Sequence, residues 1–200
     1  MFERYLLESP VIAILRGIVP SEVSDVCETL YQKGIRVLEI TLNSPDACTS
    51  IQIAADQFGG KMCIGAGTVL TPQEVDAVSR AGGRFIISPD TNAEVIKRTK
   101  ELGMISIPGF FTATEAFTAI RAGADYLKLF PASLGPGYVK DLSAVVKKPI
   151  MAVGGVNQDN IASFMKVCPG VGIGSALYKS GKSLEAIAAD AEKLLSAIPR

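Results

Sequence analysis

Two charged residues stand inside short apolar runs of this 200-residue sequence. They are Glu39 in Val37-Leu38-Glu39-Ile40-Thr41 and Lys128 in Tyr126-Leu127-Lys128-Leu129-Phe130. Lys and Glu are rarely enclosed by apolar neighbours unless they are paired or functional. An enclosed amine close to a second cation is pushed toward its neutral form, which can attack a carbonyl carbon. Arg16, at the end of the run Val11–Leu15, is the candidate cation. A Schiff base on C2 of a 2-keto acid makes that carbon an electron sink, so the C3–C4 bond beyond it can break to leave an enamine. Glu39 would then move the protons. The competing reading is a buried ion pair that only fixes strand register. The sequence has no histidine, which removes the usual neutral-pH base, the Ser-His and Cys-His nucleophile pairs and the commonest metal ligand. That exclusion favours the amine and carboxylate.

Two glycine-bearing stretches are candidate anion loops: Val153-Gly154-Gly155-Val156-Asn157 and Gly172-Ile173-Gly174-Ser175. Glycines allow a backbone to approach an anion closely, and Ser175 adds a hydroxyl. A third stretch, Gly65-Ala66-Gly67-Thr68, could set Thr68 beside Arg16 as a carboxylate clamp, since a guanidinium fork matches a carboxylate. The plainer alternative for it is a turn with a capping threonine. No stretch completes the G-x-G-x-x-G pattern of a dinucleotide site. The carboxylates near strand ends, Glu39 and Asp90, do not cluster as metal ligands. Neither a cofactor nor a metal is expected.

These residues require elements that bring them together. Apolar runs rich in β-branched residues recur at Val11–Leu15, Arg36–Thr41, Met62–Ala66, Arg84–Ser88, Met104–Pro108, Asp125–Phe130, Pro149–Gly154 and Val171–Gly174. Helical periodicity fills the intervals, which is the alternation of a parallel sheet with helical crossovers. Thr71-Pro72-Gln73-Glu74 reads as a capping box with proline at the first helical position, and Thr91 with Glu94 and Thr112 with Glu115 repeat the box. Leu184, Ile187, Ala188, Ala191 and Leu195 form the stripe of a closing helix. Eight units predict a single (β/α)8 barrel over residues 1–200, at the low end of the size range for that fold. A six-stranded doubly wound sheet would leave two runs unused. In such a barrel the functional groups lie at the C-terminal strand ends, and the loops after the last two strands commonly bind phosphate. Glu39 and Lys128 fall on the second and sixth strands, opposite each other across the axis.

Composition narrows the function classes further. The apolar fraction of 48% supplies a sizeable core, and 20 basic against 20 acidic residues leave no net field for polyanions, which argues against nucleic-acid binding. Cys27, Cys48, Cys63 and Cys168 show no C-x-x-C spacing and read as reduced thiols. The first apolar run is too short for a signal sequence or a membrane span. No membrane association and a cytoplasmic location are expected.

Taken in order, Ile14-Leu15-Arg16-Gly17, Leu38-Glu39-Ile40-Thr41-Leu42, Gly65-Ala66-Gly67-Thr68-Val69-Leu70, Ile87-Ser88-Pro89, Pro108-Gly109, Lys128-Leu129-Phe130-Pro131-Ala132 and Gly154-Gly155 resemble the 2-keto-3-deoxy-6-phospho sugar-acid aldolases. These are class I aldolases that release pyruvate, and the resemblance spans nearly the whole chain. It implies that Lys128 forms the Schiff base and Glu39 is the acid/base. It also implies that Arg16 and Thr68 hold the substrate carboxylate end, that Pro89 contacts the substrate, that Gly154, Gly155, Gly174 and Ser175 bind phosphate, and that the assembly is a homotrimer. The phosphogluconate-cleaving branch usually has arginine at the position of Asn43, glutamate at Ser133 and threonine at Val153. The runs Leu42-Asn43-Ser44-Pro45, Ala152-Val153-Gly154-Gly155-Val156 and Gly135-Pro136-Gly137-Tyr138-Val139-Lys140 look like the phosphogalactonate-cleaving branch instead, although Thr41 stands where that branch often has proline. The two substrates are epimers at C4, and exchanging a hydroxyl for a methyl at Val153 removes one orientation-specific hydrogen bond, so Val153 is the specificity candidate, while Asn43 is a substrate-binding candidate. The expected partners are a phosphorylated 2-keto-3-deoxy sugar acid and pyruvate. Rival readings are the gluconate epimer or 4-hydroxy-2-oxoglutarate as substrate, a phosphate-binding isomerase or synthase without a Schiff base, and a non-catalytic sugar-phosphate sensor.

Overall fold

Strands buried on both faces need cover from within and without, and the chain supplies it by alternating strands with helices. The structure, a computed structural model, describes residues 2–199. Its strands are β1 (Val11–Leu15), β2 (Val37–Thr41), β3 (Cys63–Gly67), β4 (Phe85–Ile87), β5 (Ile105–Ile107), β6 (Gly109–Phe110), β7 (Leu127–Leu129), β8 (Ile150–Val153) and β9 (Val171–Ile173). The helices are α1 (Phe2–Glu8), α2 (Val23–Gln32), α3 (Ala47–Phe58), α4 (Pro72–Arg80), α5 (Ala93–Glu101), α6 (Ala113–Ala122), α7 (Gly135–Leu142), α8 (Ile161–Phe164) and α9 (Leu184–Ser196). The sheet order is β5-β4-β3-β2-β1-β9-β8-β7-β6, and every pairing is parallel.

The two ends of that order, β5 and β6, are consecutive in the chain and parted only by Pro108, which has no N–H for the ladder. β5 pairs with β4 and β6 pairs with β7, so residues 105–110 act as one stave that closes the ring. The architecture is therefore the expected eight-unit barrel with its fifth stave broken at a proline.

Alternation of side chains divides the core in two. Val11, Ala13, Leu15, Leu38, Ile40, Ile64, Ala66, Ile86, Leu127, Leu129, Val171 and Ile173 face the helices and belong to the larger apolar cluster. Ile12, Val37, Cys63, Phe85, Ile87, Ile107 and Met151 face the interior, where they pack with Phe2, Tyr5 and Leu6 of α1. Helix α1 thus plugs the lower end of the barrel. The Phe2 ring meets Phe85 and Tyr126 edge-on, each with centroids 5.3 Å apart. This helix was not among the elements expected from sequence, although Phe2, Tyr5 and Leu6 already carry the i, i+3, i+4 spacing of an apolar face.

Thr71 and Thr112 form the expected capping boxes. The third box is corrected by one residue: Asn92 caps α5 by accepting from the amides of Glu94 and Val95. Thr91 instead donates its hydroxyl to the Gly109 carbonyl at 2.6 Å, so it serves the closing stave. The inner stripe of α9 is Ile187, Ala191 and Leu194, with Leu195 beside it, whereas Leu184 is exposed.

Phe2→Ala should lower the unfolding free energy by about 3–5 kcal/mol, the usual range for deleting a buried phenylalanine ring. Urea denaturation measures it, and an unchanged midpoint would show that α1 contributes no plug.

Candidate active site

A cavity of about 820 Å³ opens at the C-terminal ends of the strands, and both charged strand residues lie on its wall. Glu39 is the third residue of β2 and Lys128 the second of β7. Each occupies an interior-facing position, because its strand neighbours Leu38, Ile40, Leu127 and Leu129 point to the helices. Glu39 is 1% exposed and Lys128 is 5% exposed. They make no salt bridge or hydrogen bond with each other, and Glu39 Oε2 is buried with no hydrogen-bond partner among the described residues. The expectation of a pair facing across the axis holds, and the contact ion pair that would only fix register is not formed.

Removal from water disfavours charge on both groups. Burial pushes the Glu39 carboxyl above the ordinary carboxylate range, with Lys128 and then Arg16 partly opposing. Burial pushes the Lys128 amine below its ordinary value of 10.5; Glu39 opposes that shift and Arg16 adds to it. The two directions together favour an amine without its proton facing a carboxylic acid with one. An amine and a carboxyl, each pushed toward its uncharged form, are therefore set on opposite walls of one cavity.

The carboxyl is seated by a neighbouring glycine. A Cβ at Gly67 would fall 1.6 Å from Glu39 Oε1, so only a residue without a side chain fits beside it. The next residue, Thr68, has φ of 58°. This left-handed conformation is costly for a β-branched residue, by about 1–3 kcal/mol, and is characteristic of functional turns.

Arg16, Thr68 and Pro89 all line the cavity, as expected. Asn43 does not line it; its Oδ1 accepts from Arg16 Nη1 at 2.8 Å and so orients the guanidinium. The same two loops are tied by Gly17 N donating to Ser44 Oγ at 2.8 Å.

Another part of the cavity wall brings together Gly154, Gly155, Gly174 and Ser175, the residues expected to meet a phosphate, with Val153 next to them. Gly154 and Gly155 have φ of 90° and 81°, a conformation few other residues adopt. After β9 the Gly174 carbonyl accepts from Leu177 N at 2.8 Å and Tyr178 N at 2.9 Å, making one helical turn. The Ser175 and Ala176 amides are left without an intramolecular acceptor among the described residues. Such a turn presents its N–H groups to an anion.

Phe130 and Asn157 also line the cavity: the first shares the interior-facing side of its apolar run with Lys128, and the second ends the glycine stretch expected to meet an anion. Tyr178 and Lys179 line it too but escaped the sequence reading, because nothing in the spacing around them singled them out. Asn160 also escaped it. Its Nδ2 holds the Gly155 carbonyl at 2.9 Å while its Oδ1 accepts from Asn157 N, bracing the glycine loop from behind. Among the described residues no three His, Cys, Asp or Glu side chains gather as a metal site.

An enclosed lysine and carboxyl at the C-terminal strand ends of a parallel barrel stand where enzymes of this fold carry their active sites. The family model described as KDPG and KHG aldolase matches residues 2–193, and the chain belongs to that family. Similarity to characterised relatives is high. The chain is 46% identical over 192 residues to the 2-dehydro-3-deoxy-6-phosphogalactonate aldolase of Escherichia coli K12, covering 94% of each. A solved structure titled native KDPGal superposes with a TM-score of 0.91 at 45% identity, covering 94% of this chain and 93% of that one. The KDPG aldolase of Legionella pneumophila, solved with pyruvate captured as a covalent carbinolamine intermediate, superposes with a TM-score of 0.85 at 26% identity, covering 100% and 98%. The protein is thus an aldolase, a carbon–carbon lyase, and the isomerase and sensor readings are set aside.

Gly67→Ala should keep the fold while displacing the Glu39 carboxyl, and a misplacement on the order of 1 Å lowers turnover about 100-fold. Steady-state kinetics beside a circular dichroism melt measures it. Turnover within a factor of two or so of the parent would contradict a positioned carboxyl.

Proposed function

We propose that the enzyme cleaves 2-dehydro-3-deoxy-6-phosphogalactonate to pyruvate and glyceraldehyde 3-phosphate through a Schiff base on Lys128. The observation that carries this reading is the enclosed amine facing an enclosed, unpartnered carboxyl in one cavity. The Legionella relative, captured as a covalent carbinolamine, supports the same chemistry here.

The sequence of steps follows from the neutral pair. The Lys128 amine attacks C2 of the substrate, and a proton passes from nitrogen to the carbonyl oxygen to give a carbinolamine. Glu39, as the acid, protonates the departing hydroxyl, so water leaves and a cationic iminium faces a Glu39 carboxylate. That carboxylate takes the proton of the C4 hydroxyl. The C3–C4 bond breaks, its electron pair moves into the iminium, and the aldehyde product departs from a neutral enamine. Glu39 then returns the proton to C3, and hydrolysis of the iminium releases pyruvate and restores both groups.

At one end of the cavity Arg16, oriented by Asn43, and Thr68 hold the substrate carboxylate, with Pro89 completing that wall. At the other, Gly154, Gly155, Gly174 and Ser175 hold the phosphate, helped by the free amides after β9. Val153 sets the choice between epimers. It is apolar and 5% exposed on the cavity wall, so it offers no hydroxyl to a C4 oxygen. A hydrogen bond present for one epimer and absent for the other is what discriminates such pairs. The 46% identity to the phosphogalactonate enzyme, against 26% to the Legionella KDPG aldolase, supports the same preference.

We further propose a cytoplasmic homotrimer without cofactor or metal. All four cysteines are unpaired thiols, which suits a reducing compartment. The exposed apolar residues Phe111, Leu134 and Val145 suit self-association.

Measurement of kcat/KM on both C4 epimers tests the substrate. The galactonate epimer should be favoured, and a clear gluconate preference would overturn the choice. Glu39→Gln should slow exchange of the pyruvate C3 protons by about 100-fold or more with little change in substrate affinity. Exchange at the parent rate would remove Glu39 from the proton path.

A further inference from the structure

Phe130 follows Lys128 by two residues and emerges on the same side of the chain, toward the barrel interior. Lys128 Nζ stands over the Phe130 ring, 4.7 Å from its centroid. That is within the roughly 6 Å over which a ring face attracts a cation. The ring is 38% exposed and lines the cavity, so it is not filling a core. Its far edge backs onto the glycine loop, where a Cβ at Gly154 would come within 3.3 Å of Cδ2 and Cε2. Lys128 makes no salt bridge or hydrogen bond among the described residues, and the ring face is the contact it does make.

A neutral amine gains little from that contact, whereas an iminium gains the attraction of the ring for positive charge. An iminium on a lysine has one N–H where an ammonium has three, so a stabiliser that relied on hydrogen bonds would lose most of its partners on conversion. The ring needs no donor. We propose that Phe130 is a further catalytic residue, its ring face stabilising the cationic imine nitrogen formed on Lys128. The inference rests on the Schiff-base reading above. The ring favours the iminium before cleavage. Its hold relaxes when the C3–C4 electron pair neutralises the nitrogen as an enamine, and returns when C3 is protonated and the charge reappears.

The test replaces Phe130 with mono-, di- and trifluorophenylalanine, which keep the ring while draining the negative charge of its face. Each variant is treated with pyruvate and borohydride, and the pyruvate concentration giving half-maximal trapping is recorded. It should rise with each added fluorine, and by up to about thirty-fold in Phe130→Leu, the upper end for a desolvated cation over a ring. Phe130→Tyr should restore trapping. The effect should be full at alkaline pH, where the resting amine is neutral, and shrink in acid, where a resting ammonium already enjoys the ring. A flat response across the fluorinated series, with the parent trapped normally, overturns the role of Phe130 and leaves the Schiff base intact. A parent enzyme that is not trapped at all overturns both.

Discussion

Charge is expensive inside an apolar barrel, and two ionisable groups placed there without contact partners change each other's behaviour more than either would alone. Glu39 and Lys128 are enclosed to within a few per cent of full burial, face one cavity and make no ion pair. Burial drives both toward neutrality. In the proposed mechanism the neutral pair is the reactive one, since it holds a nucleophile and the proton needed to expel water. Forming the proposed iminium would then convert the neutral pair into two opposite charges, at the stage when the carboxylate is needed as a base. On the proposed mechanism, one physical constraint prepares both halves of the reaction.

The rest of the barrel keeps that constraint in force. Helix α1 packs Phe2, Tyr5 and Leu6 into the lower interior, which fills the barrel below the amine and carboxyl with apolar side chains. Gly67 leaves room for the Glu39 carboxyl where any side chain would displace it. The ladder register sets Glu39 beside Ile14 and Gly65, and Lys128 beside Gly109 and Met151, so neighbouring staves bring no competing charge at either level. Polar groups return only at the mouth, where Arg16 and Asn43 gather at one side and the glycine turns at the other. A substrate carrying an anion at each end would span the reactive pair.

Much of this was legible in the sequence because its signals are local. A lysine within Leu127-Lys128-Leu129 and a glutamate within Leu38-Glu39-Ile40 violate the apolar pattern of their own strands, and period-two alternation then puts them in the interior. The eight apolar runs fixed the number of staves, including the one that Pro108 interrupts. What stayed hidden depends on packing between distant segments. The plug at α1 has the right spacing in a helix of only seven residues, too short to announce itself. Asn43 has the residue type of a substrate ligand, yet Arg16 claims its oxygen across 27 positions of sequence. Asn160 braces Gly155 through a contact that no spacing rule reveals, and period two puts Phe130 on the side of Lys128 without showing that its ring lies beneath the amine. The cap of α5 differs by one residue because Asn92 can accept from two amides while the Thr91 hydroxyl is drawn to the Gly109 carbonyl.

The central claim is that Lys128 is a burial-neutralised nucleophile. Its most direct test is the pH dependence of covalent capture: the parent enzyme with pyruvate and borohydride, the rate followed across pH, and the adduct located by peptide mass spectrometry. The expected result is one reduced pyruvyl adduct, on Lys128, with a capture rate whose midpoint lies below the ordinary lysine value of 10.5. An adduct on a different lysine, no adduct, or a midpoint at that ordinary value would contradict it.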